Sequence, residues 1–180
     1  MTVRRYDEKL EEAVKSASNE NIVFFCSTED VGASRGGVYP ASWPEWTYSI
    51  SETDTGGKEV QSTDRHARYY FPGVNISTEG LSYKPSLTGQ SGYSGSSIAT
   101  AVASGTASLI LSCRNLAKSD STKSRKKSVE MVFEAMKNVN DKYVDPGTFF
   151  REDQSGLGKW SQEDWMSFID RRFGPKGAYA

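Results

Sequence analysis

A chain of 180 residues is about one domain long, and 22 basic against 23 acidic residues leave a formal net charge of −1. That balance excludes a strongly basic nucleic-acid binder and an acidic disordered tail. Counting Gly and leaving out Tyr, about 40% of the chain is apolar against the about 45–50% usual for globular domains, so the core is thin for the length.

The opening Met1–Leu10 lacks the apolar stretch of a secretory signal, and no apolar run reaches the about 20 residues of a membrane span; an intracellular protein engaging no membrane is expected. Leu10, Ala13, Val14 and Ala17 recur at helical spacing between Asp7 and Ser18. Ile22 to Cys26 is a continuous apolar run with β-branched and aromatic members, the pattern of a strand buried on both faces. A helix leading straight into such a strand is half of a parallel α/β unit. Residues 27–46 read as loop, Thr47–Ser51 and Tyr69–Phe71 as short strands, Pro72-Gly73 as a turn and Val74–Ser77 as a further strand. After a Gly/Ser-rich loop over 82–95, Ser97 to Cys113 reads as a helix apolar or small on every side, which is normally buried in a larger body. Asn115–Lys127 reads as a charged, Ser-rich linker, and its run Lys123–Lys127 as a solvated insertion rather than an address signal. Val129, Val132, Phe133 and Met136 define a second amphipathic helix. The last begins near Ser161, with Trp160 and Trp165 as a hydrophobic staple and Phe168 and Ile169 continuing the face, and ends at Gly174-Pro175.

Cys26 and Cys113 both sit inside apolar runs and read as two reduced, buried thiols. One histidine makes a zinc site hard to assemble, and no oxygen-rich loop has calcium-ligand spacing, so neither metal nor cofactor is expected. Asn75-Ile76-Ser77 matches the glycosylation sequon, with no export signal to support it.

The most informative segment runs Ser94-Gly95-Ser96-Ser97-Ile98-Ala99-Thr100-Ala101-Val102-Ala103-Ser104-Gly105. A Gly-rich loop delivers a serine to the first turn of a helix, whose unpaired N–H groups and partial positive charge favour an oxyanion forming beside it. Taken alone, the same residues are ordinary capping chemistry for Ser96 or Ser97. The string resembles the serine motif of the subtilisin-like serine proteases, Gly-Thr-Ser-x-Ala-x-Pro followed by Val-Ala-Gly, with Ser97 on the nucleophile and Gly105 as the closing glycine. It departs from the pattern at Ser96 for Thr and at Ala101 for Pro, the second of which removes a φ constraint.

The resemblance continues. Leu10 to Gly32 is similar to the family's helix-plus-strand unit ending at the oxyanion-hole asparagine, whose position Asp30 occupies. Tyr39-Pro40-Ala41 resembles its turn beside the substrate cleft, and Phe71-Pro72-Gly73-Val74 with Ile76 its Ala-Pro-Gly-Val-x-Ile strand. The resemblance therefore implies an α/β, three-layer fold with a mainly parallel sheet flanked by helices, truncated on its N-terminal side. Residues 1–113 would be the C-terminal half of the peptidase domain, 114–127 a linker and 128–180 a helical extension. It also implies Ser97 as nucleophile and Asp30 at the oxyanion hole, acting on a peptide or protein substrate. The family's Asp and His precede this region and are absent here.

Two decoys stand in their place. Asp54-Thr55-Gly56 follows polar Ser-Glu-Thr instead of an apolar strand and reads as a surface turn. His66, in Asp-Arg-His-Ala-Arg, reads as a solvated loop residue. The order Asp54, His66, Ser97 is a triad in order only, since a triad is defined by geometry. A serine without its base is not activated, and a carboxylate at Asp30 would repel an oxyanion where asparagine donates to it. The chain by itself is thus expected to be inactive, with a partner covering the exposed sheet edge. The alternative is a pseudo-protease or interaction module. An α/β-hydrolase reading fails because Gly92-Tyr93-Ser94-Gly95-Ser96 misses the nucleophile elbow at its last position.

Overall fold

The structure, a computed structural model, describes residues 3–30, 37–76, 92–117, 124–137, 142–147 and 161–174. Three strands, β1 (Phe24–Ser27), β2 (Thr47–Thr53) and β3 (Tyr69–Pro72), form a parallel sheet in the order β1-β2-β3. Among the described residues four helices accompany them: α1 (Glu8–Asn19), α2 (Ser96–Leu116), α3 (Arg125–Met136) and α4 (Gln162–Phe173).

Register decides the core. Phe25 pairs with Tyr48, Ile50 with Tyr69 and Glu52 with Phe71, and because side chains alternate along a strand these all point to one face. Onto that face pack Ala99, Ala103, Ala107 and Ile110 of α2 and Val129, Val132 and Phe133 of α3, and Phe168 and Phe173 of α4, which lies against α2, belong to the same core. Phe133 sits at the centre, with ring centroids 5.1 Å from Phe71, 5.3 Å from Tyr69 and 6.0 Å from Phe25. The Tyr48 hydroxyl donates to the Lys126 carbonyl (3.0 Å) and that of Tyr69 to Glu134 Oε1 (2.9 Å), which ties α3 to the sheet at two rows. The opposite face of β2 carries Thr47, Ser49 and Ser51, whose hydroxyls are spent on the loops at Pro40, Arg68 and Asp64. Helices cover one side there and hydrogen-bonded loops the other.

Several expectations need correcting. The strand near Ile22 begins at Phe24, and only its Cys26 is buried; Phe24 and Phe25 are half-buried and Ile22 is 48% exposed. The cause is that β1 is an edge: among the described residues nothing pairs with its outer side, whereas the outer side of β3 meets Tyr143 and Val144 through Tyr70 N–H to the Lys142 carbonyl and Val144 N–H to the Tyr70 carbonyl. Val74–Ile76 is not a strand but a single antiparallel bridge of Ile76 to Tyr93, since Asn75 takes φ +54° and turns the chain; Ser77 lies outside the described residues. The α2 helix reaches Leu116 and is covered on one side only, with Ala101, Ser104, Ser108, Leu109 and Leu116 exposed. By length and composition α2 could cross a bilayer, yet its alanine stripe lies on the sheet. The α3 helix starts inside the stretch expected as linker, because Ser124 caps it by accepting from Lys127 N–H. Ser161 and Asp164 form a reciprocal capping box on α4, while the Trp160–Trp165 staple lies outside the described residues. Cys26 and Cys113 are buried and unbridged, as expected.

Candidate active site

The first turn of α2 is pinned from two directions. Gly95 N–H donates to the Gly73 carbonyl (2.8 Å), which joins the helix to the turn after β3. Ser96 N–H donates to Asp30 Oδ1 (2.8 Å) and Ser96 Oγ to the Thr28 carbonyl (2.7 Å), which join it to the loop after β1. Gly95 makes this approach possible: at φ +133°, ψ 163° it occupies a region that essentially glycine alone enters, and a Cβ there would lie 2.8 Å from Asp30 Oδ2. Ser96 is buried and its hydrogen-bonding groups are committed.

Ser97 is the next residue and differs in each respect. It is exposed, and among the described residues neither its hydroxyl nor its N–H has a hydrogen-bond partner. As the second residue of the helix it carries one of the orphan N–H groups of the positive end. Ser97 and Asp30 line one cavity of about 280 Å³ together with Thr28, Glu29, Val38 and Arg4. Arg4 Nε meets Glu29 Oε1 at 2.8 Å across its rim.

Asp30 is exposed and, in this arrangement, accepts a hydrogen bond from the helix terminus. An oxyanion would need the reverse, a donor. Tyr39, joined to Pro40 by a cis peptide bond, exchanges both backbone hydrogen bonds with Val3 (2.8 and 2.9 Å) and so holds the N-terminal segment beside the cavity.

The decoys go elsewhere. Asp54 Oδ1 accepts from the N–H groups of Gly56 and Lys58, closing a turn. His66 is exposed and lines a different cavity of about 400 Å³, shared with Asp64, Ser42 and Thr28, that does not include Ser97. The order Asp54, His66, Ser97 therefore gathers no common site. Among the described residues no three His, Cys, Asp or Glu side chains are placed to hold a metal ion.

Two features escaped the sequence reading. The Arg4–Glu29 pair joins residues whose proximity depends on the Val3–Tyr39 bridge. Glu52 is fully buried, its Oε2 takes the Ser51 hydroxyl and its Oε1 has no partner. Its Cβ lies 2.7 Å from where a Cβ on Gly73 would stand, and Ala99 Cβ 2.9 Å from the same point, so the Glu52 Cβ lies near the first turn of α2. A signal for it existed: Glu52 continues the Tyr48, Ile50 alternation that faces the core.

No protein-family model and no curated protein sequence matches the chain. Solved structures do. The prenylagaramide maturation protease PagA superposes with a TM-score of 0.62 at 22% identity, covering 78% of this chain and 51% of that one. The fold is that of a subtilisin-like protease domain. The self-cleaved protease domain of PatA gives 0.59 at 21% identity, covering 74% and 49%, and a Ser-to-Ala mutant of the PatA protease domain 0.62 at 18%, covering 83% and 55%. This chain spans about half the length of these subtilisin-like neighbours.

Proposed function

We propose that this chain carries the nucleophile half of a subtilisin-like serine endopeptidase site, with Ser97 as the attacking residue. The observation that carries the reading is the contrast at the start of α2: Ser96 is buried and spent, while Ser97 presents a free hydroxyl and a free N–H to a cavity shared with Asp30. Ser97 Oγ attacks the peptide carbonyl carbon and gives its proton to an imidazole brought by the other half of the domain. The carbonyl oxygen becomes an oxyanion facing the Ser97 N–H, with Asp30 at the oxyanion-hole position of the same cavity. The C–N bond then breaks, the amine leaves with the proton, and water hydrolyses the acyl-enzyme. Without that imidazole the serine hydroxyl stays protonated at neutral pH, so the chain alone is inactive. The substrate class is a peptide or protein.

The test is labelling by a fluorophosphonate in a polypeptide or complex that also holds the family's Asp and His. The adduct is expected on Ser97 and absent in Ser97→Ala; labelling that persists undiminished in Ser97→Ala places the nucleophile elsewhere. A second reading, a pseudo-protease that keeps the cleft as a binding surface, draws support from Asp30, which accepts rather than donates at the helix terminus.

A further inference from the structure

We infer that the cavity beside Ser97 selects a substrate whose attacked carbonyl belongs to an arginine or a lysine, with Glu29 as the carboxylate that recognises the cation and Arg4 holding that place until the substrate arrives. This rests on reading Ser97 as the nucleophile.

The charges that line the cavity set its preference. Glu29 and Asp30 are negative, Arg4 is positive, and the other described lining residues are uncharged. The neutral polar groups are turned to neighbours: Thr28 Oγ donates to the Ile50 carbonyl and Ser96 Oγ to the Thr28 carbonyl. A side chain entering the cavity therefore meets two carboxylates, with Val38 as an apolar surface beside them. The volume of about 280 Å³ lies at the low end for ligand sites and fits one side chain rather than a longer segment. A methylene stem ending in a cation matches both features, the stem against Val38 and the head on Glu29.

The Arg4–Glu29 pair is asymmetric in a way that permits exchange. The Glu29 side chain is 16% exposed and that of Arg4 80%. A mostly buried carboxylate needs a cation beside it, whereas an exposed arginine gains little from being that cation. A substrate arginine or lysine replaces Arg4 one for one: Glu29 stays paired, and Arg4 swings into the water that already surrounds most of it. The Val3–Tyr39 backbone hydrogen bonds hold the segment meanwhile, so only a side chain has to turn. An acidic side chain would face two carboxylates and could pair with Arg4 only by taking it from Glu29. An aliphatic one would leave the pair in place but offer the carboxylates nothing. The leaving amine takes its proton from an imidazole on the other half of the domain, so the amine side of the substrate faces that half. The side chain that enters a cavity built by this chain is then that of the residue giving the carbonyl.

The experiment uses the polypeptide or complex that also holds the family's Asp and His. A photoreactive benzamidine is compared with the matching benzoate, and the adducts are mapped by mass spectrometry. Peptides differing only in Arg, Lys, Leu or Glu at the residue giving the carbonyl are compared by kcat/KM. The benzamidine is expected to mark residues 27–30 or Val38 at least about tenfold more than the benzoate does, and Arg and Lys peptides to exceed Leu and Glu peptides by at least about tenfold, the scale of one hydrogen bond to a charged group. Glu29→Gln removes most of both preferences. Arg4→Ala, at an exposed position, strengthens the benzamidine adduct and lowers KM for the Arg peptide by about threefold, the scale of an exposed ion pair. Benzoate marking equal to that of benzamidine, a preference for the Leu or Glu peptide, or an unchanged KM and adduct in Arg4→Ala overturns the proposal. Benzamidine adducts in the cavity with Ser97 unlabelled by a fluorophosphonate and no peptide cleaved leave the cation pocket standing and refute the nucleophile. Labelled Ser97 with the Leu or Glu peptide preferred does the opposite.

Discussion

Gly95 holds the candidate site together, and Gly95→Ala measures how tightly. Two costs follow from the structure. The residue sits at φ +133°, ψ 163°, a region that costs a non-glycine residue about 1–3 kcal/mol. The new Cβ would stand 2.8 Å from Asp30 Oδ2, so the carboxylate must swing away and release Ser96 N–H, the loss of a helix cap worth about 0.5–2 kcal/mol. Together these give about 1.5–5 kcal/mol, a large share of the about 5–15 kcal/mol a domain possesses. Gly105→Ala is the internal contrast. It lies mid-helix with nothing within 4 Å of its Cβ position, so alanine there stabilises by about 0.5–1 kcal/mol. Urea unfolding followed by circular dichroism reads both values. Combining Gly95→Ala with Asp30→Ala separates the two costs: the clash and the cap are then lost once rather than twice, and the double variant falls about 1 kcal/mol short of additivity. A Gly95→Ala protein within about 0.5 kcal/mol of the parent, with Ser96 N–H still protected from hydrogen exchange, would refute the described geometry.

Three further outcomes are expected. Burial pushes the Cys26 thiol up to about 11 and raises that of Cys113, so neither reacts with Ellman's reagent at about pH 8 in the folded protein and both do in strong denaturant; one native equivalent or more contradicts the structure. Burial works to raise the Glu134 carboxyl, but hydrogen bonds from Lys137 and Tyr69 outweigh it and hold it below the usual range. Its stabilisation is therefore present above that range and lost as pH falls through it and below, so the melting-temperature gap between the parent and Glu134→Gln closes below about pH 4; a gap unchanged down to about pH 2.5 refutes this. Leaving even a few hundred Å² of apolar surface uncovered costs on the order of several kcal/mol. With Ile22, Leu109 and Leu116 between 41% and 52% exposed, the isolated chain is expected to bind a hydrophobic dye strongly and to show no peptidase activity. A cooperative melt from a dye-free monomer would mean that it stands as a self-sufficient domain.

Local chemistry made part of this molecule legible from the sequence. The helix–strand unit over 8–27, the strands at 47 and 69 and the helix opened by Gly95-Ser96-Ser97 each rest on spacing within one segment, where periodicity and helix-start chemistry act over a few residues. Contacts between distant segments needed the fold. Asp30 accepts from Ser96 across 66 positions, and that bond separates a committed Ser96 from a free Ser97, which neighbouring serines in a string do not reveal. Asn75 turned an apparent strand into a single bridge because one residue at positive φ outweighs the β propensity beside it. Phe133 packs α3 against the sheet, a contact that the helical spacing of Val129, Val132, Phe133 and Met136 does not state by itself. The exposure of β1 and α2 was hidden for the same reason: an apolar run states what a segment can bury, and only the packed neighbours, present on the β3 edge and, among the described residues, missing on the β1 edge, decide what is buried.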